Sequence, residues 1–316
     1  MTPPPTLAER VLAGEPRAVA RAISLIENED QAAADLVRAI FGRTGHAYLI
    51  GVTGPPGAGK STLVDRLTAQ FRQQAKTVGV IAIDPTSPFT GGAVLGDRLR
   101  MNAHAGDSGV FIRSMATRGH LGGLARATGD AAIVLDAAGK DVIIIETVGV
   151  GQDEVDIIRT ADISIVTLVP GTGDDVQAIK AGIMEIADIF VINKADREGA
   201  DRLVSAVEAN LALHQYAADE WRPPILKTVA TSGQGVAELD AAITSFRAHG
   251  ERQQAARRRD RSAYRLRELV AQRFMAHLER HVLAPGEFDT VVDRIASRTL
   301  DPYSAANDLL ARALAR

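Results

Sequence analysis

The sequence predicts an α/β protein with a mostly parallel, doubly wound sheet, flanked by an N-terminal helical extension and a C-terminal helical arm. Three observations support this prediction. Apolar residues recur at helical spacing before residue 46, continuous apolar runs alternate with helical stretches from 46 to 250, and a helical pattern returns from 251 onward. Strands that helices cover on both faces are apolar along their whole length, as these runs are. We therefore divide the chain into three units, 1–45, 46–250 and 251–316.

The N-terminal unit has apolar positions at the spacing of one helix face. Val19, Ile23 and Ile26 form one such stripe. Pro16 stands where a helix can begin, because its fixed φ angle suits the first turn. A small helical extension is therefore expected before the first strand.

The central unit alternates between two kinds of segment. Strands are predicted over 47–52, 78–83, 142–146, 163–169, 189–193 and 225–230. Helices are predicted near 60–73, 122–138, 175–187, 196–214 and 235–248. Because consecutive parallel strands need a crossover, which is usually a helix, this alternation predicts a parallel sheet covered on both faces.

The C-terminal unit has a helical pattern over 251–282, 287–296 and 302–315. Its first part is rich in arginine, since residues 252–267 contain seven arginines and a single acid, Asp260. The simpler interpretation is a solvated helix face or a connector. Binding to nucleic acid or to an acidic partner is the alternative.

Composition limits the function classes. The chain has 316 residues, a net charge of −3 and no cysteine. This charge balance gives no nucleic-acid footprint, and the absence of cysteine excludes disulfides and thiolate metal sites. No apolar run approaches the roughly 18 residues needed to cross a bilayer, and the first residues lack the layout of a secretory signal. We therefore expect a cytoplasmic protein without a membrane or nucleic-acid partner.

Residues 54–61 match the pattern G-x-x-x-x-G-K-[ST], directly after a predicted strand and before a predicted helix. Glycines let the backbone wrap around a phosphate, and the helix N-terminus adds a favourable dipole. Lys60 would reach the β and γ phosphates, and the Ser61 hydroxyl would bind Mg²⁺. The predicted phosphate-binding residues are Gly54, Pro55, Pro56, Gly57, Ala58, Gly59, Lys60, Ser61 and Thr62.

The segment Asn193-Lys194-Ala195-Asp196 follows another predicted strand. The Asp196 carboxylate would accept hydrogen bonds from the guanine ring N–H and exocyclic amine, a pair of donors that adenine lacks. Asn193 would brace the loop and touch the base edge, while the Lys194 stem would cover the ring face. Ala230 and Thr231 follow the last strand, where a backbone N–H would meet the guanine oxygen. With the phosphate loop, these residues predict a site for GTP and GDP.

Three carboxylates are candidates for a Mg²⁺ site, since this ion prefers oxygen ligands. Glu146 ends a predicted strand and is followed by Gly149, whose N–H would sense the γ-phosphate. Asp84 ends an earlier apolar run, and Asp97 lies in the segment after it. A helix cap or a surface position is the alternative interpretation of Asp84 and of Asp97. The functional interpretation is a metal site formed by Ser61, Asp84, Asp97 and Glu146.

The glutamate at 146 and several longer segments resemble one group of P-loop GTPases. The similar segments are 54–61, 84–88, 96–101, 113–126, 146–154 and 193–196, of which 113–126 is the most family-specific. On these residues the chain resembles the MeaB/MMAA (ArgK-like) family over most of its length. Members of that family are GTPase chaperones of adenosylcobalamin-dependent acyl-CoA mutases.

The resemblance implies a GTP-hydrolysing chaperone that gates cofactor loading and protects or reactivates its mutase. It implies catalytic roles for Lys60, Asp84, Asp97 and Glu146, with GTP or GDP and Mg²⁺ as cofactors. It also implies slow hydrolysis that the mutase stimulates, a homodimer formed through the C-terminal helices, and a switch loop over 170–185. Which acyl-CoA mutase is the partner stays open, because that choice lies in the partner.

Two alternatives come from other functional classes. A metallochaperone GTPase of the same superfamily would deliver nickel or zinc, usually with Cys- or His-rich ligands. This chain has no cysteine and only scattered histidines, which argues against that role. An ATP-driven kinase for basic amino-acid uptake would need an adenine site, which the segment 193–196 disfavours.

Overall fold

The computed structural model describes residues 4–84, 102–104, 106–116, 123–147, 160–171 and 185–315. Within these ranges the chain forms two compact units, Met1–Ala255 and Ala256–Arg316. The first unit combines the N-terminal helices with a seven-stranded sheet, and the second contains the last helices.

The strands are β1 (Tyr48–Thr53), β2 (Val78–Asp84), β3 (Val110–Ala116), β4 (Val142–Glu146), β5 (Ile163–Leu168), β6 (Ile189–Asn193) and β7 (Ile225–Thr228). The helices of the first unit are α1 (Leu7–Leu12), α2 (Pro16–Glu27), α3 (Gln31–Ile40), α4 (Lys60–Gln73), α5 (Gly123–Ala137), α6 (Ala200–Leu211) and α7 (Val236–His249). They are followed by α8 (Glu251–His277), a π-helical turn (Leu278–Val282), α9 (Glu287–Ala296) and α10 (Pro302–Leu314).

The sheet has the strand order β3-β2-β4-β1-β5-β6-β7, and every adjacent pair is parallel. In the centre, Ile50 of β1 pairs with Ile144 of β4 on one side and Ile163 of β5 on the other. The predicted α/β class and mostly parallel sheet are confirmed. In such sheets, ligands bind at the carboxyl ends of the strands, near the point where the strand order reverses.

The prediction of six strands is wrong by one, because β3 forms an additional edge strand. Its apolar start, Val110 to Ile112, is followed by Arg113, so the run is too short to stand out in the sequence. An edge strand with a half-buried face does not need the continuous apolar pattern of a central strand. Among the side chains described in β3, only Met115 is buried.

Helices cover both faces of the sheet, as the doubly wound prediction requires. Ile81, Ile143 and Ile145 belong to a core cluster with α1, α2, α3 and α5. On the opposite face, Ile50 and Ile144 pack in a cluster with α4 and α7. A third cluster joins β5 and β6 to α6. Neighbouring residues of one strand therefore face different layers, which is the period-two geometry of a strand.

Aspartates mark the amino edge of the sheet. Asp141, Asp162 and Asp188 each stand directly before a strand and accept the N–H of a residue at the adjacent strand. The donors are Thr77 at 2.7 Å, Leu49 at 2.9 Å and Ser164 at 2.9 Å. Each bond satisfies a backbone donor at the end of the ladder and fixes the register there.

The N-terminal helices are joined to the sheet by polar contacts as well as by the core. Arg113 of β3 donates to the Glu27 carboxylate and, at 3.1 Å, to the Ser24 hydroxyl on α2. Arg126 of α5 donates to Glu29 at 2.7 Å. The predicted helical extension is therefore part of the same compact unit as the sheet.

The second unit contains a small core and an ion pair. Leu278, Val282 and Ala305 are buried in it. Arg312 donates to both oxygens of Glu287, at 2.6 and 3.1 Å, and this lowers the pKa of Glu287 to about 2. None of the helices in the described ranges combines the length and the hydrophobicity that a membrane span requires.

Candidate functional site

The phosphate loop lies at the carboxyl end of β1, as its motif predicts, and two of its glycines are required by close contacts. At Gly54, where φ is +141°, an added Cβ would lie 1.9 Å from the carbonyl oxygen of Thr167 in β5. At Gly59, where φ is +86°, it would lie 2.5 Å from Nδ2 of Asn193. Only glycine adopts these conformations in so little space. The loop therefore passes directly against β5 and the residue that ends β6.

Lys60 begins α4 and is buried. Its ammonium nitrogen Nζ donates to the carbonyl oxygens of Gly54 at 2.7 Å and Pro55 at 3.2 Å. The lysine therefore folds back over its own loop, next to the N-terminal amides of α4. This places a positive charge and a helix N-terminus together, and that combination attracts a phosphate.

Ser61 and Glu146 meet in the interior of the site. The Ser61 hydroxyl Oγ donates to Glu146 Oε1 at 2.6 Å, and both side chains are buried. Beside them, the Thr147 hydroxyl donates to Thr53 Oγ1 at 2.9 Å. The carboxyl ends of β1 and β4 are thus joined through side chains. A serine hydroxyl next to a carboxylate provides the oxygen atoms that suit Mg²⁺.

Asn193 connects three loops. Its Nδ2 donates to the Ala58 carbonyl in the phosphate loop at 2.8 Å, and its Oδ1 accepts the Thr228 hydroxyl at 3.0 Å and the Ala230 N–H at 3.1 Å. The side chain is buried, so these bonds are shielded from water. Lys194, with φ of +56°, donates from Nζ to the Gly57 carbonyl at 2.7 Å.

The turn after β7 has a contact to a residue outside the nucleotide-binding motifs. Arg66 of α4 donates from Nε to the Ala230 carbonyl at 3.2 Å and from a terminal nitrogen to the Thr231 carbonyl at 2.9 Å. The Ala230 N–H, expected to meet a guanine oxygen, donates to Asn193 in this structure. No sequence motif marks Arg66, because its position on a helix predicts only an exposed face.

Of the other predicted site residues, only some lie within the ranges that the structure describes. Thr62 is half-buried in the first turn of α4, and Asp196 is exposed in the loop after β6. Asp84 ends β2, but its side chain, like Asp97, Gly149 and most of the loop 170–185, lies outside the described residues. The structure therefore brings together Lys60, Ser61, Glu146, Asn193 and Lys194 around one loop.

Comparison with known proteins agrees with this geometry. Residues 19–282 match the family model described as Methylmalonyl Co-A mutase-associated GTPase MeaB. A Pyrococcus abyssi protein named as a GTPase is 53% identical over 310 residues, covering 96% of this chain and 95% of that protein. The GTPase ArgK of Escherichia coli is 36% identical, covering 96% of both chains.

A solved structure described as an LAO/AO transport system kinase superimposes on this chain with a TM-score of 0.73. It is 28% identical in sequence, and the match covers 96% of this chain and 95% of the other. The likeness therefore extends over the sheet and the flanking helices. With a phosphate loop, a guanine-type motif and a family match over most of its length, the chain belongs to the MeaB family of P-loop GTPases.

Proposed function

We propose that this protein is a GTP-hydrolysing chaperone of an adenosylcobalamin-dependent acyl-CoA mutase, either methylmalonyl-CoA mutase or a close relative. In this role it gates the loading of the cofactor and protects or reactivates the mutase. Membership of a family described as methylmalonyl Co-A mutase-associated supports this choice of partner. The geometry of the chain supports the nucleotide part of the proposal.

The observation that carries the nucleotide part is the 2.6 Å hydrogen bond from Ser61 to Glu146. It joins the last residue of the phosphate loop to the end of β4 in a buried setting. We propose that Ser61 and Glu146, together with Asp84 and Asp97, would hold Mg²⁺. Bound there, the ion would neutralise charge on the β and γ phosphates.

The residues of the chain itself have separate roles in this proposal. Lys60 exchanges its contacts with the loop carbonyls for contacts with phosphate oxygens, and the first amides of α4 add donors. Asp196 accepts the guanine N–H donors, while Asn193 holds the base loop against the phosphate loop. Gly149 and the remaining residues of 54–62 complete the nucleotide contacts.

Further features of the proposal follow from the family membership. Hydrolysis is slow in the free protein, depends on Mg²⁺ and rises when the mutase binds. The protein forms a homodimer through its C-terminal helices and acts in the cytoplasm. Exposed apolar side chains on these helices, among them Leu266, Tyr303 and Leu314, support the homodimer.

The proposal is tested by measuring GTP and ATP turnover with purified protein, alone and with an adenosylcobalamin-dependent acyl-CoA mutase from the same genome. Lys60→Ala removes the phosphate-binding ammonium. Lys76→Ala, at the opposite edge of the sheet, is the matched control. We expect slow GTP turnover that the mutase raises severalfold, that disappears in Lys60→Ala and that persists in Lys76→Ala.

Each other outcome identifies the part that fails. GTP turnover that no mutase changes would leave the GTPase in place and remove the partner, and metal delivery would then be tested by titration with nickel and zinc. In the described part of the chain, no group of three or more His, Cys, Asp or Glu could hold a metal ion. A preference for ATP would contradict the assignment of Asp196 and the whole proposal.

A further inference from the structure

Arg66 links the helix that follows the phosphate loop to the turn that follows β7. It lies six residues after Lys60 on α4 and donates to two consecutive carbonyl groups, Ala230 at 3.2 Å and Thr231 at 2.9 Å. A guanidinium has a planar fork of donors, so it can bind two neighbouring acceptors at once. The contact therefore fixes the direction of two successive peptide groups in the turn.

The two peptide groups that meet at Ala230 are both held by hydrogen bonds. Its N–H donates to Asn193 Oδ1 at 3.1 Å, and its carbonyl accepts from Arg66 and, at 3.3 Å, from the Gly233 N–H. Ala230 itself is 3% exposed. With both of these peptide planes bonded, the backbone at Ala230 has little freedom to rotate.

These contacts close a ring around the base side of the site. Ala58 of the phosphate loop accepts from Asn193, Asn193 accepts from Ala230, and Ala230 accepts from Arg66, which α4 connects back to the phosphate loop. The phosphate side and the base side are thus held in one geometry. Among the residues that the structure describes, Arg66 is the only cation that donates a hydrogen bond to this turn.

We propose that Arg66 is a positioning residue for base recognition, which holds the turn at Ala230 and Thr231 and thereby maintains selectivity for guanine over adenine nucleotides. The inference rests on the guanine site proposed above. Selectivity between bases requires that the polar groups of the site are held in place. In catalysis, a displacement of about 1 Å can lower the rate roughly a hundredfold, and hydrogen bonds to a base are similarly sensitive to position. Arg66 acts through the turn and not on the phosphates.

Exposure separates this role from a purely structural one. The Arg66 side chain is exposed, and exposed polar contacts contribute little to the stability of the fold. Removing the Arg66 side chain is therefore expected to change base selectivity clearly and the free energy of unfolding only a little. A buried structural arginine would show the opposite pattern.

The test measures dissociation constants of fluorescent mant-GDP and mant-ADP for the full chain and for Arg66→Gln and Arg66→Lys. We expect Arg66→Gln to weaken mant-GDP binding by about tenfold, because the turn on the base side is then no longer held in place, and to change mant-ADP binding less than about twofold. Arg66→Lys keeps the charge but loses the fork, so it is expected to restore only part of the selectivity.

Arg72→Gln is the control on the same helix: Arg72 donates to the Lys76 carbonyl at 2.7 Å and to both oxygens of Asp107 at 2.7 and 2.9 Å, but at the amino edge of the sheet. It is expected to leave the ratio of the two dissociation constants unchanged. Urea unfolding of each variant verifies that the compared proteins are folded.

Two results would overturn the inference while keeping the guanine site. One is an unchanged ratio in Arg66→Gln when the original protein prefers mant-GDP. The other is an equal loss for both nucleotides, which would assign Arg66 to the phosphate side. If the original protein itself does not prefer mant-GDP, the proposed guanine site fails, and this inference fails with it.

Discussion

The two edges of the parallel sheet use similar side chains in different ways. At the amino edge, Asp141, Asp162 and Asp188 each accept a backbone N–H, so their partners are amides in a strand or directly before one. At the carboxyl edge, Glu146 accepts a serine hydroxyl, and Lys60 donates to carbonyls of its own loop. The partners there belong to loops and side chains.

Burial alone does not separate the two edges: Asp141 is exposed and Asp162 and Asp188 are half-buried, but Asp136, which also accepts backbone N–H groups near the amino edge, is 8% exposed, and Glu146 at the carboxyl edge is 4% exposed. What differs is whether the partner can be exchanged. An amide at a strand end cannot leave its acceptor without disturbing the ladder, whereas a hydroxyl or a loop carbonyl can give way to a ligand. We therefore expect amino-edge substitutions to change stability, and carboxyl-edge substitutions mainly to change nucleotide binding and turnover.

The largest expected effect is on stability, at a carboxyl-edge position that is an exception to this comparison. Gly54→Ala is at the carboxyl edge, but its Cβ would lie 1.9 Å from the Thr167 carbonyl, and neither backbone can move away cheaply. We expect a loss of at least about 3 kcal/mol in the free energy of unfolding, measured by urea denaturation. Gly129→Ala, in the middle of α5 with nothing within 4 Å of its added Cβ, is the control and is expected to gain up to about 1 kcal/mol. Equal stability of the two variants would contradict the close packing of the loop against β5.

Glu146→Gln tests the carboxyl edge of the sheet most directly. The change keeps the shape and an acceptor for Ser61 but removes a buried charge, so stability is expected to stay the same or rise. GTP turnover is expected to fall by about a hundredfold, because the carboxylate proposed to hold Mg²⁺ against the phosphates is gone. Turnover assays and urea unfolding on the same samples measure both quantities. A large loss of stability with unchanged turnover would reverse the assignment of the two edges.

Asp136→Ala tests the amino edge of the sheet. The carboxylate of Asp136 accepts the N–H groups of Gly45, His46 and Ala47 at 2.5, 3.2 and 3.0 Å, just before β1. Its removal leaves these amides without that acceptor, and we expect a loss of about 2–4 kcal/mol in urea unfolding. The affinity of the folded protein for mant-GDP should not change. Asp35→Ala, at an exposed ion pair with Arg38, serves as a control with little effect.

The smallest effect concerns acid stability. Burial raises the pKa of Asp141, but hydrogen bonds from Thr77 and the nearby Lys76 and Lys140 outweigh it, so the pKa lies below its ordinary 3.8. A carboxyl whose pKa is lower in the folded state stabilises the fold above the unfolded pKa, and this contribution is lost as the pH falls through the folded value. Asp141→Asn should therefore lessen the loss of stability below about pH 4, relative to the original protein. Urea midpoints measured across the acid range would contradict this if the two curves stayed parallel.

Several features of the fold could be predicted because they depend on neighbours in the chain. The strand–loop–helix around 54–61 and the loop after β6 have local motifs, and their elements form where the motifs indicate. The edge strand β3 could not be recognised, because Arg113 interrupts its short apolar run. The aspartates before β4, β5 and β6 share one position, directly before a strand, which is visible in the sequence. Their role as acceptors is not, because it depends on which strands are adjacent.

The sequence by itself determined the fold class, the phosphate loop and the identity of the nucleotide motif, since these follow from local spacing and residue chemistry. Only the tertiary structure decided which distant groups meet. Ser61 and Glu146 are 85 residues apart in the chain, Asn193 and Ala58 are 135 apart, and Arg66 and Ala230 are 164 apart. Their contacts result from β4, β1, β5, β6 and β7 lying in one order, with helices crossing between them. No local pattern encodes that order, because it is set by the packing of whole elements around a shared core.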